Sequence, residues 1–342
     1  MKKYELTDEY IEIGLVTKIK LYRIKALVTI ASIGVGAGDL GGYVEKESNL
    51  DQSGNAWVYG NAKVYGNAEV YGNAKVYGNA EVCGNARVFD DAKVYGNAKV
   101  YGNARVYGNA RVYGNAEVCG NARVYGNARV FDDAKVYGNA KVYGNARVYG
   151  NAEVCGNARV FDDAKVFDDA EVCGNARVFD DAKVYGNAKV YGNARVYGNA
   201  WVCGNARVFD DAEVYGNAEV CGNARVYGNA RVFDDAKVYG NAKVYGNARV
   251  YGNAKVYGNA EVCGNARVYE RSDIVWFSNV GTEYGTLTVF KTKQGVLWVT
   301  RGCFSGSVEE FLKKSAEVHD EKNKREYQLL IEVAKSRLEE TQ

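Results

Sequence analysis

The sequence predicts an all-β solenoid of about 12 triangular coils, followed by a small α+β domain. A valine recurs every six residues from Val58 to Val268 without a slip, giving 36 valines, and an alanine precedes each valine by two. The 342 residues include 40 glycines and 28 tyrosines but no proline, a composition far from that of ordinary globular domains. Short internal repeats at a fixed period are the signature of solenoids. We therefore divide the chain into an N-terminal cap and irregular first coil (1–54), a repeat domain (55–270) and a C-terminal module (271–342).

The repeat unit reads Ala-x-Val-[Tyr/Phe/Cys]-[Gly/Asp]-[Asn/Asp]. Its alternation places alanine and valine on one side of a short strand, and the x and aromatic slots on the other. Gly-Asn and Asp-Asp pairs accept the backbone angles of a tight corner. Short strands joined by corners of the same sense wind into a coil, and three hexapeptides close a triangular turn of 18 residues. We expect an interior of valine and alanine and a rod roughly 58 Å long at about 4.8 Å per coil.

The hexapeptide resembles the repeat of the hexapeptide-repeat, left-handed β-helix family. Val58-Tyr-Gly-Asn-Ala-Lys63 fits that pattern except at its second slot, which here carries an aromatic residue or cysteine. The segments around Leu21–Leu27 and Gly38–Glu45, and the Gly302–Gly306 turn, resemble uncharacterised phage and prophage hexapeptide proteins, some of which are labelled acetyltransferases. The resemblance implies a left-handed parallel β-helix, and one function that it implies is acyl transfer from an acyl-CoA donor.

The repeat domain lacks the features that acyl transfer needs in that family. Such enzymes use a histidine as general base and bind the acyl donor between coils of a trimer, commonly with a loop that leaves the helix. This repeat contains neither a histidine nor an inserted loop. The sequence therefore favours a non-enzymatic scaffold or binding solenoid, with a hexapeptide acyltransferase as the alternative.

Two residues outside the repeat are weak catalytic candidates, Cys303 and His319. A thiol beside an imidazole is an activated nucleophile. The simpler interpretation is a buried packing cysteine and a histidine near a helix C-terminus, where a positive charge is stabilised. No spacing of histidine, cysteine or acidic residues predicts a metal site, and we expect no cofactor.

The flanking segments break the six-residue period. The apolar stretch Ala26–Gly38 is too short to span a bilayer; a secretory signal is its less favoured interpretation. After Tyr269, three apolar or alternating segments predict short strands at Asp273–Ser278, Thr286–Phe290 and Gly295–Thr300.

Two helices are predicted to follow these strands. Ser307 and Glu310 form a capping box, which starts a first helix containing Val308, Phe311 and Leu312. A second helix over about Glu321–Glu340 places five residues on one apolar stripe: Tyr327, Leu330, Ile331, Ala334 and Leu338.

Residues 18 apart stack on one face of the predicted prism, which separates the charges by face. The "first face" carries Lys75, Lys93, Arg111, Arg129, Arg147, Lys165, Lys183, Lys237 and Lys255, interrupted by Trp57, Trp201 and Glu219. The "arginine face" carries Arg87, Arg105, Arg123, Lys141, Arg159, Arg177, Arg195, Arg231, Arg249 and Arg267, with only Glu69 and Glu213 acidic. On the remaining "mixed face", lysine and arginine are interspersed with five glutamates.

The aromatic slot beside the arginine face is aromatic in every coil, from Tyr71 to Tyr269. A basic row beside aromatic rings is typical of surfaces that hold anionic polymers. The candidate binding residues are Arg87, Arg105, Arg123, Arg159, Arg177, Arg195, Tyr107, Tyr125, Tyr143 and Tyr197. Three interpretations stay open: rows that only stabilise stacked coils, a surface for a protein partner or a second copy, and a polyanion site. Against the last stand 14 corner aspartates, and coil spacing of about 4.8 Å that does not match the ~3.4 Å of base steps.

Seven of the eight cysteines occupy the aromatic slot, so they are variants of one repeat position. Cys155 lies one coil from Cys173, and Cys203 one coil from Cys221. We expect free thiols in a cytoplasmic protein, because parallel in-register neighbours are poorly placed for a disulfide. The formal charge of +2 indicates no particular partner, we expect no membrane association, and a homotrimer that buries whole faces is an open arrangement.

Overall fold

The computed structural model describes residues 2–292 and 294–338. The chain divides into two compact units, Met1–Asp180 and Asp181–Gln342. Each unit contains solenoid coils, and each is described by itself below. The predicted end of the second helix, residues 339–340, and Lys293 lie outside the described residues.

The solenoid coils are built from two-residue strands that consist of the x and valine positions of each hexapeptide. In the first unit they run every six residues from Trp57–Val58 to Arg177–Val178, and in the second from Lys183–Val184 to Arg267–Val268. Each strand pairs in parallel with the strand 18 residues away, as Arg105–Val106 does with Arg123–Val124. The predicted coil of three hexapeptides is confirmed, with seven coils of repeat strands in the first unit and five in the second.

The interior consists of valine and alanine, as predicted. Nearly every repeat valine and alanine has 0% exposure, including Ala122 and Val124 at the middle of the first unit. The side chains on either side of each valine point outward because neighbouring residues of a strand face opposite sides. At roughly 1.5–3 kcal/mol for each buried valine, the coils are stabilised in proportion to their number.

Corners of the coil use the left-handed backbone region. The corner glycines have positive φ, for example 70° at Gly102, and the aspartates in the same slot follow them, with φ of 55° at Asp90. Aspartate is one of the few residues that tolerates this region. The second corner residue forms side-chain ladders between coils, such as Asn103 Nδ2 donating to Asn121 Oδ1 over 3.2 Å.

The first unit begins with an antiparallel hairpin that the sequence did not predict. Strands β1 (Tyr4–Ile13) and β2 (Ile19–Ala26) pair with each other, and β2 pairs with β3 (Leu40–Val44). Strand β3 then pairs in parallel with the repeat strand Lys63–Val64. Short 3-10 helices lie at Ala31–Ile33 and Glu47–Asn49. The hairpin therefore extends the sheet of the mixed face and covers its N-terminal edge.

Buried polar and aromatic side chains hold this cap against the first coil. The ring of Tyr4 packs edge-on against Trp57, with centroids 6.2 Å apart. Its hydroxyl donates to the carbonyls of Glu47 and Leu50 over 2.8 and 2.7 Å. Lys3 Nζ donates to the carbonyl of Ala56 over 2.9 Å, and burial lowers the pKa of this lysine to about 8. The predicted cap over 1–54 thus contains a built core of its own.

The second unit ends in a four-stranded antiparallel sheet with two helices. Its strands are β4 (Ile274–Val280), β5 (Gly285–Lys291), β6 (Leu297–Arg301) and β7 (Phe304–Ser307), paired in that order after the 3-10 helix Arg271–Asp273. The sequence predicted the first three; β7 was missed because Gly302–Gly306 reads as a turn.

Helices α1 (Val308–Val318) and α2 (Glu321–Leu338) pack on this sheet. The predicted capping box is confirmed: Ser307 Oγ accepts from the amide of Glu310 over 3.2 Å, and the amide of Ser307 donates to Glu310 Oε2 over 2.8 Å. Of the predicted stripe, Tyr327, Ile331, Ala334 and Leu338 are buried in the core and Leu330 packs against it.

The sheet also contacts the last coil of its own unit. Thr300 Oγ1 donates to the carbonyl of Glu261 over 2.8 Å, and the amide of Glu261 donates to Thr288 Oγ1 over 3.1 Å. These bonds satisfy backbone groups at the edge of the coil, where another coil would otherwise be required.

Candidate binding surface

The arginine face is formed by the x position of one hexapeptide in each coil. In the first unit its column runs through Glu69, Arg87, Arg105, Arg123, Lys141, Arg159 and Arg177, and in the second through Arg195, Glu213, Arg231, Arg249 and Arg267. All six arginines named as candidate binding residues are exposed. The sequence therefore assigned these side chains to the correct column.

A stacked column of rings runs beside these charges. From Tyr71 to Phe179 in the first unit, successive ring centroids are 4.8–4.9 Å apart and the planes differ by 1–4°. The second unit repeats the arrangement, with Tyr197 and Tyr215 at 4.8 Å. The centroid separation equals the coil spacing and favours offset stacking. The tyrosines are half-buried, and their burial raises the pKa of Tyr107, Tyr125 and Tyr143, so their hydroxyls are neutral at physiological pH.

Only the ends of the arginine column in the first unit are ion-paired. Arg87 Nε lies 3.1 Å from Glu69 Oε2. Within the described residues, no carboxylate lies within ion-pairing distance of the next five cations: Arg105, Arg123, Lys141, Arg159 and Arg177. In the second unit Glu213 interrupts the column and pairs with Arg195 and Arg231, over 3.5 and 3.3 Å.

The mixed face neutralises its own charge. Lys63 Nζ pairs with Glu81 over 3.0 Å, and Lys243 pairs with Glu261 over 2.6 Å, each one coil along. Tyrosine hydroxyls complete the pattern, with Tyr137 donating to Glu153 over 2.8 Å. The mixed face shows the pattern of charges that stabilises stacked coils, and the arginine face departs from it.

The corner aspartates have structural partners that the sequence did not reveal. Asp90 Oδ2 accepts from the amide of Gly108 over 3.1 Å, and Asp91 Oδ1 accepts from Asn73 Nδ2 over 3.0 Å. The Phe-Asp-Asp unit therefore replaces the Gly-Asn corner with carboxylates that bond to both adjacent coils. Their charge still opposes anion binding, but it lies at the corners and not in the arginine column.

The expectation of free thiols is wrong for two cysteine pairs. Cys155 is bonded to Cys173, and Cys203 to Cys221, with Cα atoms 4.6 Å apart in both. This separation lies within the range that disulfides span, so stacking on adjacent coils brings the two side chains together. Cys83 and Cys119 stay free because tyrosines occupy the stacked positions one coil away.

The weak catalytic candidates are not brought together by any contact among the described residues. Cys303 is a free, exposed thiol in the turn between β6 and β7, so the expectation of a buried cysteine is wrong. His319 ends α1, as predicted, and its ring lies 5.4 Å from that of Tyr327. Within residues 2–292 and 294–338, no three histidine, cysteine or acidic side chains cluster as metal ligands. No helix in that part of the chain is long and apolar enough to cross a membrane.

Comparison with known proteins supports the repeat architecture. The YdcK beta solenoid repeat model matches residues 98–114, 104–120, 116–132, 122–138, 140–152, 188–204, 218–232, 224–240 and 242–258. The chain is therefore a β-solenoid repeat protein. No curated protein matches the sequence.

Two of the similar solved structures are acyltransferases by name. A UDP-N-acetylglucosamine acyltransferase of Arabidopsis is 13% identical with a TM-score of 0.23, and the match covers 54% of this chain and 70% of that chain. A provisionally assigned acetyltransferase of Desulfovibrio desulfuricans G20 is 11% identical with a TM-score of 0.21, and covers 61% and 65% respectively. At these TM-scores the likeness carries no argument about activity.

Proposed function

We propose that the protein is a binding scaffold whose arginine face holds a linear polyanion. The observation that supports this most strongly is the column of five successive cations, Arg105 to Arg177, that have no ion-pair partner among the described residues. The same coils pair opposite charges on the mixed face. The fold therefore accommodates a neutralised column, and the arginine face lacks one.

Like charges stacked one coil apart repel each other. At about 5 Å in water, two unit charges interact by ~0.8 kcal/mol, and each interior member of the column has two such neighbours. A polyanion lying along the column relieves this repulsion and releases its own counterions on binding. The free energy of binding would then depend steeply on salt.

The ring column supplies the second part of the surface. Flat rings beside a row of cations provide contact area for bases, sugars or other planar groups. The ring separation of 4.8–4.9 Å exceeds the ~3.4 Å between bases. Recognition is therefore by charge and contact area, without reading a base sequence.

Salt-dependent binding to two probes tests the proposal: a short DNA duplex and inorganic polyphosphate. If five cations each meet one phosphate, log K should fall with log salt at a slope of about −4.5 on the duplex. The triple substitution Arg105→Gln, Arg123→Gln, Lys141→Gln should reduce that slope by about 3. The matched control, Lys63→Gln, Lys99→Gln, Lys135→Gln on the mixed face, removes the same charge and should leave the slope nearly unchanged.

The two probes separate charge from ring contact. Binding of both to similar extents indicates charge alone; tighter binding of single-stranded DNA, weakened by Tyr125→Leu, indicates stacking. The proposal is wrong if neither polymer binds at low salt, or if both triple variants lose binding equally. A stable trimer that buries the arginine face, seen by light scattering and protection from lysine and arginine modification, would also contradict it.

A further inference from the structure

A cavity of about 380 Å³ lies on the first face of the first unit, outside the arginine face. One wall is the segment after β2, at Ser32 and Ile33. The opposite wall is the column of Lys75, Lys93 and Arg111 together with the corner residues Asn55, Asn73, Asp91 and Asn109. From this arrangement we infer a binding site for a small phosphorylated molecule that carries at least two negative charges. This inference goes beyond the proposed polyanion surface and uses different residues.

The wall formed by the segment after β2 is fixed by its own contacts. Ile30 and Val35 are buried, and the amide of Ile30 donates to the carbonyl of Val35 over 2.7 Å. The amide of Gly36 donates to Asp39 Oδ2 over 2.7 Å. The same segment returns to β2, where the amide of Ala26 donates to the carbonyl of Asp39 over 2.9 Å. A wall held in this way keeps the cavity formed before a ligand enters, which lowers the entropic cost of binding.

The three cations on the opposite wall have no carboxylate within ion-pairing distance in the part of the chain that is described. Lys75 and Lys93 are half-buried and Arg111 is exposed. They occupy successive coils of one column, so they point to the same side at about 4.8 Å intervals. Three cations at this spacing, in a concave site, reach a ligand with two or more charged oxygens better than one with a single charge.

Asn109 adds a neutral donor. The asparagine ladder runs from Asn55 to Asn73 and then to Asp91, over 2.9 and 3.0 Å. A carboxylate has no N–H to give to the next coil, so the ladder stops at Asp91. Within residues 2–292 and 294–338, the side chain of Asn109 forms no hydrogen bond. Its amide is available to a phosphate oxygen.

The size and the remaining wall indicate more than an inorganic ion. The volume lies within the range of small-molecule sites, and the side chain of Ile33 supplies an apolar contact for the rest of the ligand. Asp91 disfavours a ligand that places negative charge at every oxygen, and favours one with a hydroxyl or amino donor on that side. A sugar or nucleoside diphosphate has this chemistry.

Titration calorimetry of the full chain with inorganic pyrophosphate tests the site. We expect saturation at one pyrophosphate per chain, and affinity at least about tenfold lower in Arg111→Gln, which removes one charge-assisted contact. Arg147→Gln, in the same column two coils beyond the cavity, is the matched control and should bind normally. Ile33→Asp, which adds a carboxylate to the opposite wall, should also lower affinity at least tenfold. Both altered residues lie at the surface or half-buried, so the unfolding midpoints of the variants should match that of the unaltered protein.

Three outcomes would overturn the inference. These are no saturable binding of pyrophosphate up to about 1 mM, equal weakening by Arg147→Gln and Arg111→Gln, and orthophosphate binding as tightly as pyrophosphate. The triple variant of the arginine face, Arg105→Gln with Arg123→Gln and Lys141→Gln, should retain pyrophosphate binding. Failure of this site and failure of the polyanion surface are thereby distinguished.

Discussion

Replacing Val124 by alanine tests the narrow interior on which the fold depends. Val124 has 0% exposure at the middle of the first unit, in register with Val106 and Val142 of the adjacent coils. Alanine removes two methyl groups, which costs about 1.6 kcal/mol at ~0.8 kcal/mol per group. A residual cavity of roughly 40 Å³ adds about 1 kcal/mol at ~24 cal/mol per Å³. We expect the free energy of unfolding to fall by about 2.5 kcal/mol.

Urea unfolding followed by circular dichroism measures this change, with Val16→Ala as the control. Val16 is 97% exposed in the turn between β1 and β2, so its truncation should change stability by less than ~0.5 kcal/mol. Val124→Thr keeps the shape of the side chain but buries a hydroxyl, which costs about 1–3 kcal/mol if it lacks a partner. The reasoning is refuted if Val124→Ala costs no more than Val16→Ala.

Two further predictions concern titration and oxidation. Burial and the hydrogen bond to Glu153 raise the pKa of Tyr137 to about 12, and burial raises that of other stacked tyrosines from 10.0; because the unfolded chain loses these protons first, stability should be constant below pH 10 and fall between about pH 10 and 12. Urea midpoints across this range check it, and a midpoint that rises with pH would contradict the assignment. The disulfides predict that the unreduced, denatured protein exposes four reactive thiols and the reduced protein eight; eight before reduction would contradict them. Cys155→Ala with Cys173→Ala should destabilise the chain by roughly 3 kcal/mol, as expected for a loop of this length, whereas Cys119→Ala opens no cross-link and should cost less.

The repeat was predictable because each position has one environment. Valine and alanine alternate with exposed residues at every coil, so a single period determined strand, corner and interior together. The columns of charge and rings followed from the 18-residue turn, and Arg105 and Tyr107 lie where that turn places them. The binding role of these columns and the phage and prophage connection stay predictions.

The failures lie where contacts depend on distant segments. The hairpin of β1 and β2 has no six-residue period, and its strands are recognisable only through pairing with β3. The cavity above Lys93 requires the fold of the segment that includes Ile33, which no local pattern predicts. The disulfide partners were stacked correctly in sequence, but the separation of their Cα atoms was judged unfavourable without a measured distance.

The three-hexapeptide coil makes length a discrete variable of this molecule. Removing 18 residues from the repeats of the first unit would return every remaining side chain to its own face and shorten the arginine column by one step. Removing six residues would preserve every strand and corner, yet would carry each later side chain of that unit onto the neighbouring face, because pairing connects residues 18 apart. Stability would change little between the two deletions after correction for length. The continuity of the cation column would survive only the first.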